Sequence, residues 1–304
     1  MVYVKKVKVG KKEYYYFVES YREDGKVKHR TLRRLSEEEC KNPQLALVEF
    51  KKGLEKKNYL RIKKVIVLAA GKSTRLYPLA TKFPAAMLKL NERRLIDYLL
   101  DLFHQTGVKD AIVVGGLNIE SLTQHLKKRA LVLFNPFYGT TRSLSSLYFA
   151  KDSLNEGVFV CYGDILFPRT VLQQMIETRS DIVIAVSPGP LDDESEKIFI
   201  REGKLISVSK DSPLVNPEGV FIGLAMFSAK GIQIAKTLLD QVMQEDLFRE
   251  YEFSVLLERI SQAGHSINIL KINEPWIDID YPYEVEIAKE DILPLLTKNI
   301  DRSL

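Results

Sequence analysis

Cysteine, histidine and long apolar stretches are scarce in this sequence, and each shortage excludes a class of protein. The two cysteines, Cys40 and Cys161, form neither a disulfide framework nor a CxxC pair, which suits a reducing compartment. The four histidines are scattered without metal-ligand spacing. No run of about 18 apolar residues occurs, and no apolar segment follows the basic start of the chain. We therefore expect a cytoplasmic protein without a membrane span or a signal peptide.

Charge is present in quantity but divides unevenly along the chain. Residues 1–64 carry 19 Lys and Arg against 9 Asp and Glu, whereas the rest of the chain carries 26 against 31. Such a split indicates two modules with different electrostatic roles. Hydrophobic residues make up 45% of the sequence, so the longer module can bury a substantial core.

The first module, residues 1–60, is predicted to be a small basic unit in which hairpin strands precede a helix. Its strands are rich in aromatic and β-branched residues, and an Asp-Gly pair marks the hairpin turn. Asn-Pro is a typical helix start. The predicted elements are the strands Val2–Val9, Glu13–Tyr21 and Lys26–Leu35, the turn Asp24-Gly25 and the helix Gln44–Lys57.

The predicted hairpin interleaves tyrosines with lysines and arginines. This interleaving can bind nucleic acid through phosphate contacts and base stacking, which would make nucleic acid a partner of residues 1–58. The stretch also resembles the hairpin that begins some transposase-like proteins. The alternative, which we favour here, is a solvated strand face whose aromatic side chains pack on the helix.

From residue 64 to residue 292, short apolar runs alternate with amphipathic stretches. Buried strands separated by helices of this length predict an α/β fold with a doubly wound, mostly parallel sheet. After Pro188 the rhythm changes to a hairpin and a further strand. Residues 293–304 are predicted to be a C-terminal tail. The predicted strands begin at Val65, Asp110, Ala130, Val158, Asp181, Lys197, Lys204, Gly219 and Ser266.

The strongest chemical signal is Val65–Pro78, in which a buried strand runs into small residues, hydroxyls and an arginine. Backbone N–H groups without bulky side chains can approach a phosphate closely, and Arg75 supplies a planar fork that suits a phosphate chain. The loop is neither a Walker A loop nor a G-x-G-x-x-G fingerprint. The residues predicted to bind nucleotide here are Leu68, Ala69, Ala70, Gly71, Ser73 and Thr74.

Two acidic segments lie far apart in the sequence. Val160–Asp164 is a buried strand that ends in an aspartate, and Trp276–Asp280 places Asp278 and Asp280 on one face of an extended chain. If the three carboxylates meet, they repel one another unless a hard dication lies between them. The sequence therefore predicts an Mg²⁺ site formed by Asp164, Asp278 and Asp280.

Together these segments resemble the nucleotidyltransferase superfamily that makes NDP-sugars and CDP-alcohols, whose signature runs L-A-A-G-x-G-[ST]-R-[LM]-x-P. The resemblance continues through Arg94–Tyr98, Val113–Gly116 and Phe134–Leu147, and it covers residues 64–290. It implies a Rossmann-like fold in which, with Mg²⁺, an acceptor phosphate attacks the α-phosphorus of a nucleoside triphosphate and pyrophosphate leaves.

The resemblance also implies roles for individual residues. The segment from Glu194 to Ala225 looks most like cytidylyltransferases of phosphocholine or aminoethylphosphonate, so we favour CTP, with a sugar-1-phosphate nucleotidyltransferase as the alternative. A homodimer is compatible with the sequence, which does not specify one. Arg75 is implied to be catalytic, and we predict that Lys82 is catalytic as a replacement for a family lysine that this sequence lacks. The residues implied to bind nucleotide are Gly115, Gly116, Thr141 and Ser143, and those implied to contact the acceptor are Tyr138, Arg142, Lys197 and Lys210.

The family pattern breaks at Ala85, where a lysine usually follows the proline. Losing one such phosphate contact costs on the order of 3 kcal/mol, roughly a hundredfold in rate. Either Lys82 or Arg142 supplies the missing charge in a divergent but active enzyme, which we favour, or the domain turns nucleotide over poorly. In the second case the chain is a nucleotide-binding regulatory protein with a nucleic-acid-binding first module.

Overall fold

The computed structural model describes residues 2–9, 12–23, 26–59, 62–80, 82–189, 191–210 and 212–297. The chain divides into two units, Met1–Leu60 and Arg61–Leu304, which are described separately. Within the described residues, no helix combines the length and the apolar character that crossing a bilayer requires.

The smaller unit is a three-stranded antiparallel sheet followed by two helices. The strands are adjacent in the order β1-β2-β3, and the Asp24-Gly25 turn lies outside the described residues. Ser36 caps the first helix in a capping box with Glu39. The elements are β1 (Val2–Val9), β2 (Lys12–Glu23), β3 (Lys26–Arg34), α1 (Glu37–Lys41) and α2 (Pro43–Tyr59).

The core of the smaller unit lies at one end of its sheet. Phe17 of β2 is fully buried and stacks on Phe50 of α2, with ring centroids 4.1 Å apart. Leu35 and Ala46 complete the buried set. Most of β3 lies outside this core, and its side chains are exposed.

The larger unit is built on a nine-stranded sheet, with two short two-stranded ribbons beside it. The strands of the main sheet are β4 (Lys64–Ala69), β7 (Asp110–Gly115), β8 (Leu131–Phe134), β9 (Val158–Tyr162), β11 (Ile182–Ser187), β12 (Lys197–Arg201), β13 (Lys204–Ser209), β14 (Gly219–Phe227) and β15 (Asn268–Lys271). The ribbons pair β5 (Lys89–Leu90) with β6 (Arg93–Arg94), and β10 (Ile165–Leu166) with β16 (Ile277–Asp278).

Strand direction in the main sheet is mostly parallel, as the sequence predicts. β8, β7, β4 and β9 are parallel neighbours in that order. β14 then pairs antiparallel with β9 and with β11, and β15 returns parallel to β11. The antiparallel hairpin β12–β13 joins the start of β14.

Helices cover both faces of this sheet. Along β4, Val65 and Val67 belong to one buried cluster, whereas Ile66 and Leu68 belong to the other. This alternation is what a strand buried on both faces requires. The helices are α3 (Leu95–Gln105), α4 (Ile119–Leu126), α5 (Ser143–Phe149), α6 (Arg169–Glu177), α7 (Ala229–Val242), α8 (Phe253–Gln262), α9 (Pro282–Ile287) and α10 (Leu293–Thr297).

The end of the chain differs from the predicted tail 293–304. After α9, a π-helical turn at Ala288–Ile292 leads directly into α10. Ile292 and Leu293 are buried in the core because the apolar positions of this segment continue to face the sheet. Residues 298–304 lie outside the described residues.

Gly231 in the first turn of α7 is expected to tolerate no side chain. A Cβ there would lie 2.1 Å from the carbonyl oxygen of Asp181 and 2.9 Å from Cγ1 of Ile182. Gly231→Ala should therefore lower the free energy of unfolding by about 2 kcal/mol, outweighing the gain of about 1 kcal/mol from helix propensity. Urea unfolding of the full chain measures this.

The matched control is Gly189→Ala, because a Cβ at Gly189 would lie 3.9 Å from its nearest neighbour, the backbone nitrogen of Leu191. We expect this control to unfold within about 0.5 kcal/mol of the parent protein. Equal stability of the two variants would contradict the proposed clash at α7.

Candidate active site

Backbone pairing brings the two acidic segments together at one edge of the sheet. Asp164 follows β9, and the antiparallel pair β10–β16 places Ile165 opposite Asp278. The amide of Ile279 donates to the carbonyl of Asp164 at 3.0 Å. As a result, one carboxylate oxygen from each of Asp164, Asp278 and Asp280 lies within 4.8 Å of the other two.

Two of these three carboxylates, those of Asp164 and Asp278, each have a buried oxygen without a partner among the described residues. Oδ1 of Asp164 and Oδ1 of Asp278 are buried, and neither accepts a hydrogen bond from any described residue. Burial and the neighbouring Asp280 raise the pKa of Asp164 to about 7. Burial and Asp164 raise the pKa of Asp278 well above its ordinary value. An arrangement of hard, converging oxygens with this cost of ionisation fits a divalent cation.

The loop after β4 reaches the same place. Ser73 adopts a left-handed conformation with φ 50° and ψ 39°, and its Oγ accepts a hydrogen bond from the amide of Ala85 at 2.7 Å. This turn directs Arg75 to the acidic edge, where Nη2 lies 2.6 Å from Oδ2 of Asp280. Nη1 of Arg75 pairs with Glu194. The predicted loop and the predicted carboxylates therefore face each other.

Residues at the end of β4 pack against the turn that carries Asp164. The carbonyl of Leu68 accepts the amide of Gly163 at 2.9 Å, and a Cβ at Gly163 would lie 2.8 Å from Cβ of Ala69. Leu68 and Ala69 thus fix the position of the turn at Gly163 through this hydrogen bond and close packing. Beyond them Gly71 is open, with no heavy atom within 4 Å of the position of a Cβ.

The end of β7 forms the opposite wall of the loop. A Cβ at Gly116 would lie 2.4 Å from Cγ of Tyr138 and 2.8 Å from the carbonyl oxygen of Ala70, so the tyrosine packs on bare backbone. Asn118 donates from Nδ2 to the carbonyl of Lys82 at 3.0 Å. The segment that carries Lys82 is therefore anchored to the turn after β7.

The hydroxyls of two predicted nucleotide-binding residues are engaged within the protein. Thr141 donates to the carbonyl of Phe137 at 2.9 Å. Ser143 donates to Oε2 of Glu252 at 2.6 Å and accepts from the amide of Phe253 at 2.7 Å. These contacts hold the start of α5 against the start of α8.

The sequence assigns no individual role to two glutamates near this edge, Glu252 and Glu196, although Glu196 lies in the acceptor-side segment that begins at Glu194. Glu196 is buried and accepts hydrogen bonds from the hydroxyls of Tyr162, at 2.9 Å, and Ser254. Burial and the neighbouring Glu252 raise the pKa of Glu196 to about 7. Glu252 also lies 3.6 Å from Nη1 of Arg142. No spacing in the sequence links these residues, because they come from β9, the approach to β12 and the approach to α8.

The two predicted acceptor lysines lie together beside the acidic edge. Nζ of Lys197 donates to the carbonyl of Lys210 at 3.3 Å. Nζ of Lys210 lies 3.3 Å from Oε2 of Glu194, the same glutamate that pairs with Arg75. Lys210 also lowers the pKa of Asp278 against the larger effect of burial. Lys210 is thus connected to Asp280 through the ion pairs of Glu194 and Arg75, and Lys197 contacts Lys210 through a hydrogen bond.

Removing one of the three carboxylates should stabilise the metal-free protein at high pH. The folded-state pKa of Asp164 is about 7, above the ordinary value of 3.8, so the folded state binds its proton more tightly than the unfolded state does. The free energy of unfolding of the parent protein therefore falls as the pH rises from about 4 to about 7. In EDTA at pH 8, Asp164→Asn should be more stable than the parent by about 2 kcal/mol, and the difference should vanish near pH 4.

Urea unfolding at pH 4, 6 and 8 measures the difference, with Asp152→Asn, at an exposed aspartate, as the control. Adding Mg²⁺ or Mn²⁺ should raise the thermal midpoint of the parent but not that of Asp164→Asn. A pH-independent difference, or equal stabilisation of both proteins by the cation, would argue against a shared metal site.

Comparisons with known proteins identify the family of the larger unit. Residues 65–245 match the MobA-like NTP transferase domain, and residues 3–58 match the N-terminal domain of the IS1634 family transposase. The CTP:phosphoglutamine cytidylyltransferase of Campylobacter jejuni is 23% identical over 250 residues, which are 74% of this chain and 98% of that protein. The 2-aminoethylphosphonate cytidylyltransferase of Lancefieldella rimae is 30% identical over 169 residues, which are 54% of this chain and 66% of that protein.

The fold is shared with a solved structure, that of the inositol-1-phosphate CTP transferase from T. maritima. The TM-score is 0.62 at 19% sequence identity, and the match covers 76% of this chain and 98% of the other. The α/β fold with a mostly parallel sheet and the nucleotidyltransferase resemblance predicted from the sequence are thereby confirmed. Since the matching family segment spans more than half of the sequence, this chain belongs to the MobA-like NTP transferase domain family.

Proposed function

We propose that this protein transfers a cytidylyl group from CTP to a small phosphorylated acceptor, with release of pyrophosphate. The observation that carries the proposal is the meeting of the loop arginine, Arg75, with the carboxylates of Asp164, Asp278 and Asp280. The names of the relatives support the choice of CTP and of an acceptor that carries a phosphate or phosphonate. The acceptor is of the phosphocholine or aminoethylphosphonate type.

The three aspartates are proposed to hold Mg²⁺. The two buried carboxylate oxygens without partners suit this role, because they gain from a cation what the protein does not provide. When bound, Mg²⁺ supplies positive charge that offsets the repulsion between the triphosphate and the acceptor phosphate. Asp164 and Asp278, whose pKa values are raised by burial and by neighbouring carboxylates, would hold the ion in their ionised form.

The chain's own residues position the two substrates. The backbone of Ala70, Gly71, Ser73 and Thr74, which is open at Gly71, is proposed to cradle the phosphates, and Arg75 would exchange its carboxylate partners for the β- and γ-phosphates. The hydroxyl of Ser73 keeps its proton for a phosphate oxygen, because it only accepts from Ala85. Positioning and charge neutralisation account for most catalysis of phosphoryl-type transfer.

We propose that the residues on the two sides of the loop after β4 bind different substrates, with the nucleotide base on one side and the acceptor on the other. Gly115 and Gly116 are proposed to line the nucleotide side, where glycine at position 116 lets Tyr138 and the carbonyl of Ala70 approach closely. Thr141 and Ser143 shape that side through their internal hydrogen bonds. The residues proposed to contact the acceptor are Tyr138, Arg142, Lys197 and Lys210.

The missing family lysine has a structural context. Ala85 is 5% exposed and its amide donates to Ser73, so this buried turn position carries no charge. Lys82 lies on the same segment, which Asn118 anchors beside the glycines. We assign the missing charge to Lys82, with Arg142 as the alternative, although Arg142 already pairs with Glu252.

A pyrophosphate-release assay tests the proposed function directly. With Mg²⁺, the full chain should release pyrophosphate from CTP faster than from ATP, GTP or UTP, and only when a phosphorylated acceptor is present. Phosphocholine, aminoethylphosphonate, inositol phosphate and sugar-1-phosphates form the acceptor panel. Asp164→Asn should be inactive with every pair. Binding of nucleotide without turnover across this panel would favour the regulatory alternative instead.

Two substitutions test the proposed catalytic side chains. Arg75→Ala and Lys82→Ala should each lower kcat about a hundredfold, because each removes one charged contact to phosphate in the transition state. The matched controls are Arg201→Ala and Lys89→Ala, which remove exposed charges from β12 and β5 and should leave kcat within about twofold. Full activity of Lys82→Ala would remove Lys82 from the assignment, and a rate gain in Ala85→Lys would show that its charge had never been replaced.

A further inference from the structure

One carboxylate oxygen in the larger unit pairs with two cations that belong to the proposed sites of different substrates. Oε2 of Glu194 pairs with Nη1 of Arg75 and lies 3.3 Å from Nζ of Lys210. Arg75 is proposed to bind the β- and γ-phosphates of the triphosphate, and Lys210 is proposed to contact the acceptor. The oxygen of Glu194 therefore lies where the phosphate-binding side chains of the two substrates meet.

The turn that carries Glu194 holds the side chain in this position. Oδ1 of Asp192 accepts hydrogen bonds from the amide of Glu194 at 3.1 Å and from Oγ of Ser195 at 2.5 Å. An aspartate that bonds to the backbone two residues on is typical of a tight turn. Directly after the turn, Glu196 is buried, and its carbonyl accepts the amide of Phe221 at 2.9 Å. Local structure thus presents the Glu194 carboxylate to the two cations.

The two ion pairs of Glu194 are accessible to water. The exposed fraction of the side chain is 47% for Glu194, 35% for Arg75 and 34% for Lys210. Ion pairs with this exposure contribute little to stability, so another anion can replace the carboxylate at small cost. The hydrogen bond with Arg75 and the charge of Lys210 lower the pKa of Glu194, so the carboxylate is charged at neutral pH.

A phosphate group can make the same contacts as this carboxylate. Guanidinium and ammonium groups both bind phosphate, the first through a planar fork and the second as a point charge. A phosphate has several charged oxygens, so it can satisfy the two cations separately, whereas Glu194 satisfies both with one oxygen. A phosphate that enters this position must first displace the glutamate.

We propose, on the basis of the proposed roles of Arg75 and Lys210, that Glu194 is an internal competitor for the phosphate groups of both substrates. The entering phosphate displaces the carboxylate, and its apparent affinity is reduced by the strength of the two ion pairs. The first substrate to bind releases both cations, so the second substrate binds without this reduction. Glu194 thereby couples the binding of the triphosphate and of the acceptor with positive cooperativity.

Isothermal titration of the full chain with pyrophosphate and Mg²⁺ tests the competition. Glu194→Gln removes the charge and keeps the size of the side chain, and Arg75 retains its contact with Asp280, 2.6 Å away. The variant should bind pyrophosphate about five- to tenfold more tightly than the parent, as expected when two exposed competing ion pairs are lost. A purely structural role for Glu194 predicts the opposite, since Arg75 would lose a partner that orients it.

The matched control is Asp193→Asn, which removes the same charge from the neighbouring exposed position. This control should bind pyrophosphate within about twofold of the parent, because exposed charges at a distance are screened by salt. The competition is overturned if Glu194→Gln binds pyrophosphate no more tightly than the parent, if both variants gain equally, or if none of the three proteins binds pyrophosphate.

Titration at pH 8 with two further probes measures the coupling. Methylphosphonate, a small dianion, represents the acceptor, and the α,β-methylene analogue of CTP, in which carbon replaces the leaving oxygen, represents the triphosphate. Saturation with the analogue should tighten the binding of methylphosphonate to the parent about fivefold and to Glu194→Gln less than about twofold. An equal gain in both proteins, or no binding of methylphosphonate to either, would overturn the coupling.

These measurements depend on binding and not on turnover, so they separate this inference from the proposed function. Tighter binding of pyrophosphate to Glu194→Gln, in a protein that releases no pyrophosphate from any substrate pair, would contradict the proposed function alone. Turnover of CTP, with equal affinity of the parent and Glu194→Gln for pyrophosphate, would contradict the competition by Glu194 alone.

Discussion

Electrostatic repulsion among three aspartates is the constraint around which the larger unit is organised. Carboxylate oxygens within 4.8 Å of one another, two of them buried without hydrogen-bond partners, are unfavourable for folding. Burial of the main sheet compensates for these unfavourable carboxylates, since β4, β11 and β14 are buried along their whole lengths. The three carboxylates thus destabilise the fold at the site where the proposed chemistry needs concentrated negative charge.

Arg75 offsets part of this negative charge. Its guanidinium bridges Asp280 and Glu194 and lies 5.5 Å from the ring centroid of Tyr281. The same planar fork suits phosphate groups. The loop and the acidic edge are therefore already oriented towards each other before any substrate arrives, and the left-handed Ser73 determines that orientation locally.

Much of this could be predicted from the sequence, and the failures have physical causes. Five strands, β7, β9, β12, β13 and β14, begin at the predicted residues because apolar runs and turn residues mark them clearly. Periodicity carries no information about direction, so the antiparallel insertion of β14 between β9 and β11 could not be predicted. The two-residue strands β10 and β16 are too short to leave a pattern, and the Glu196–Glu252 cluster depends on tertiary packing alone.

The alternating burial of β4 bears on how accurately the phosphate loop is placed. Val65 and Val67 pack on one side of the sheet while Ile66 and Leu68 pack on the other, and both neighbouring strands pair with β4. A slip of one residue would exchange the two sets of side chains between two differently shaped interiors. Packing on both faces therefore fixes the register of β4, and with it the start of the phosphate loop at residue 70.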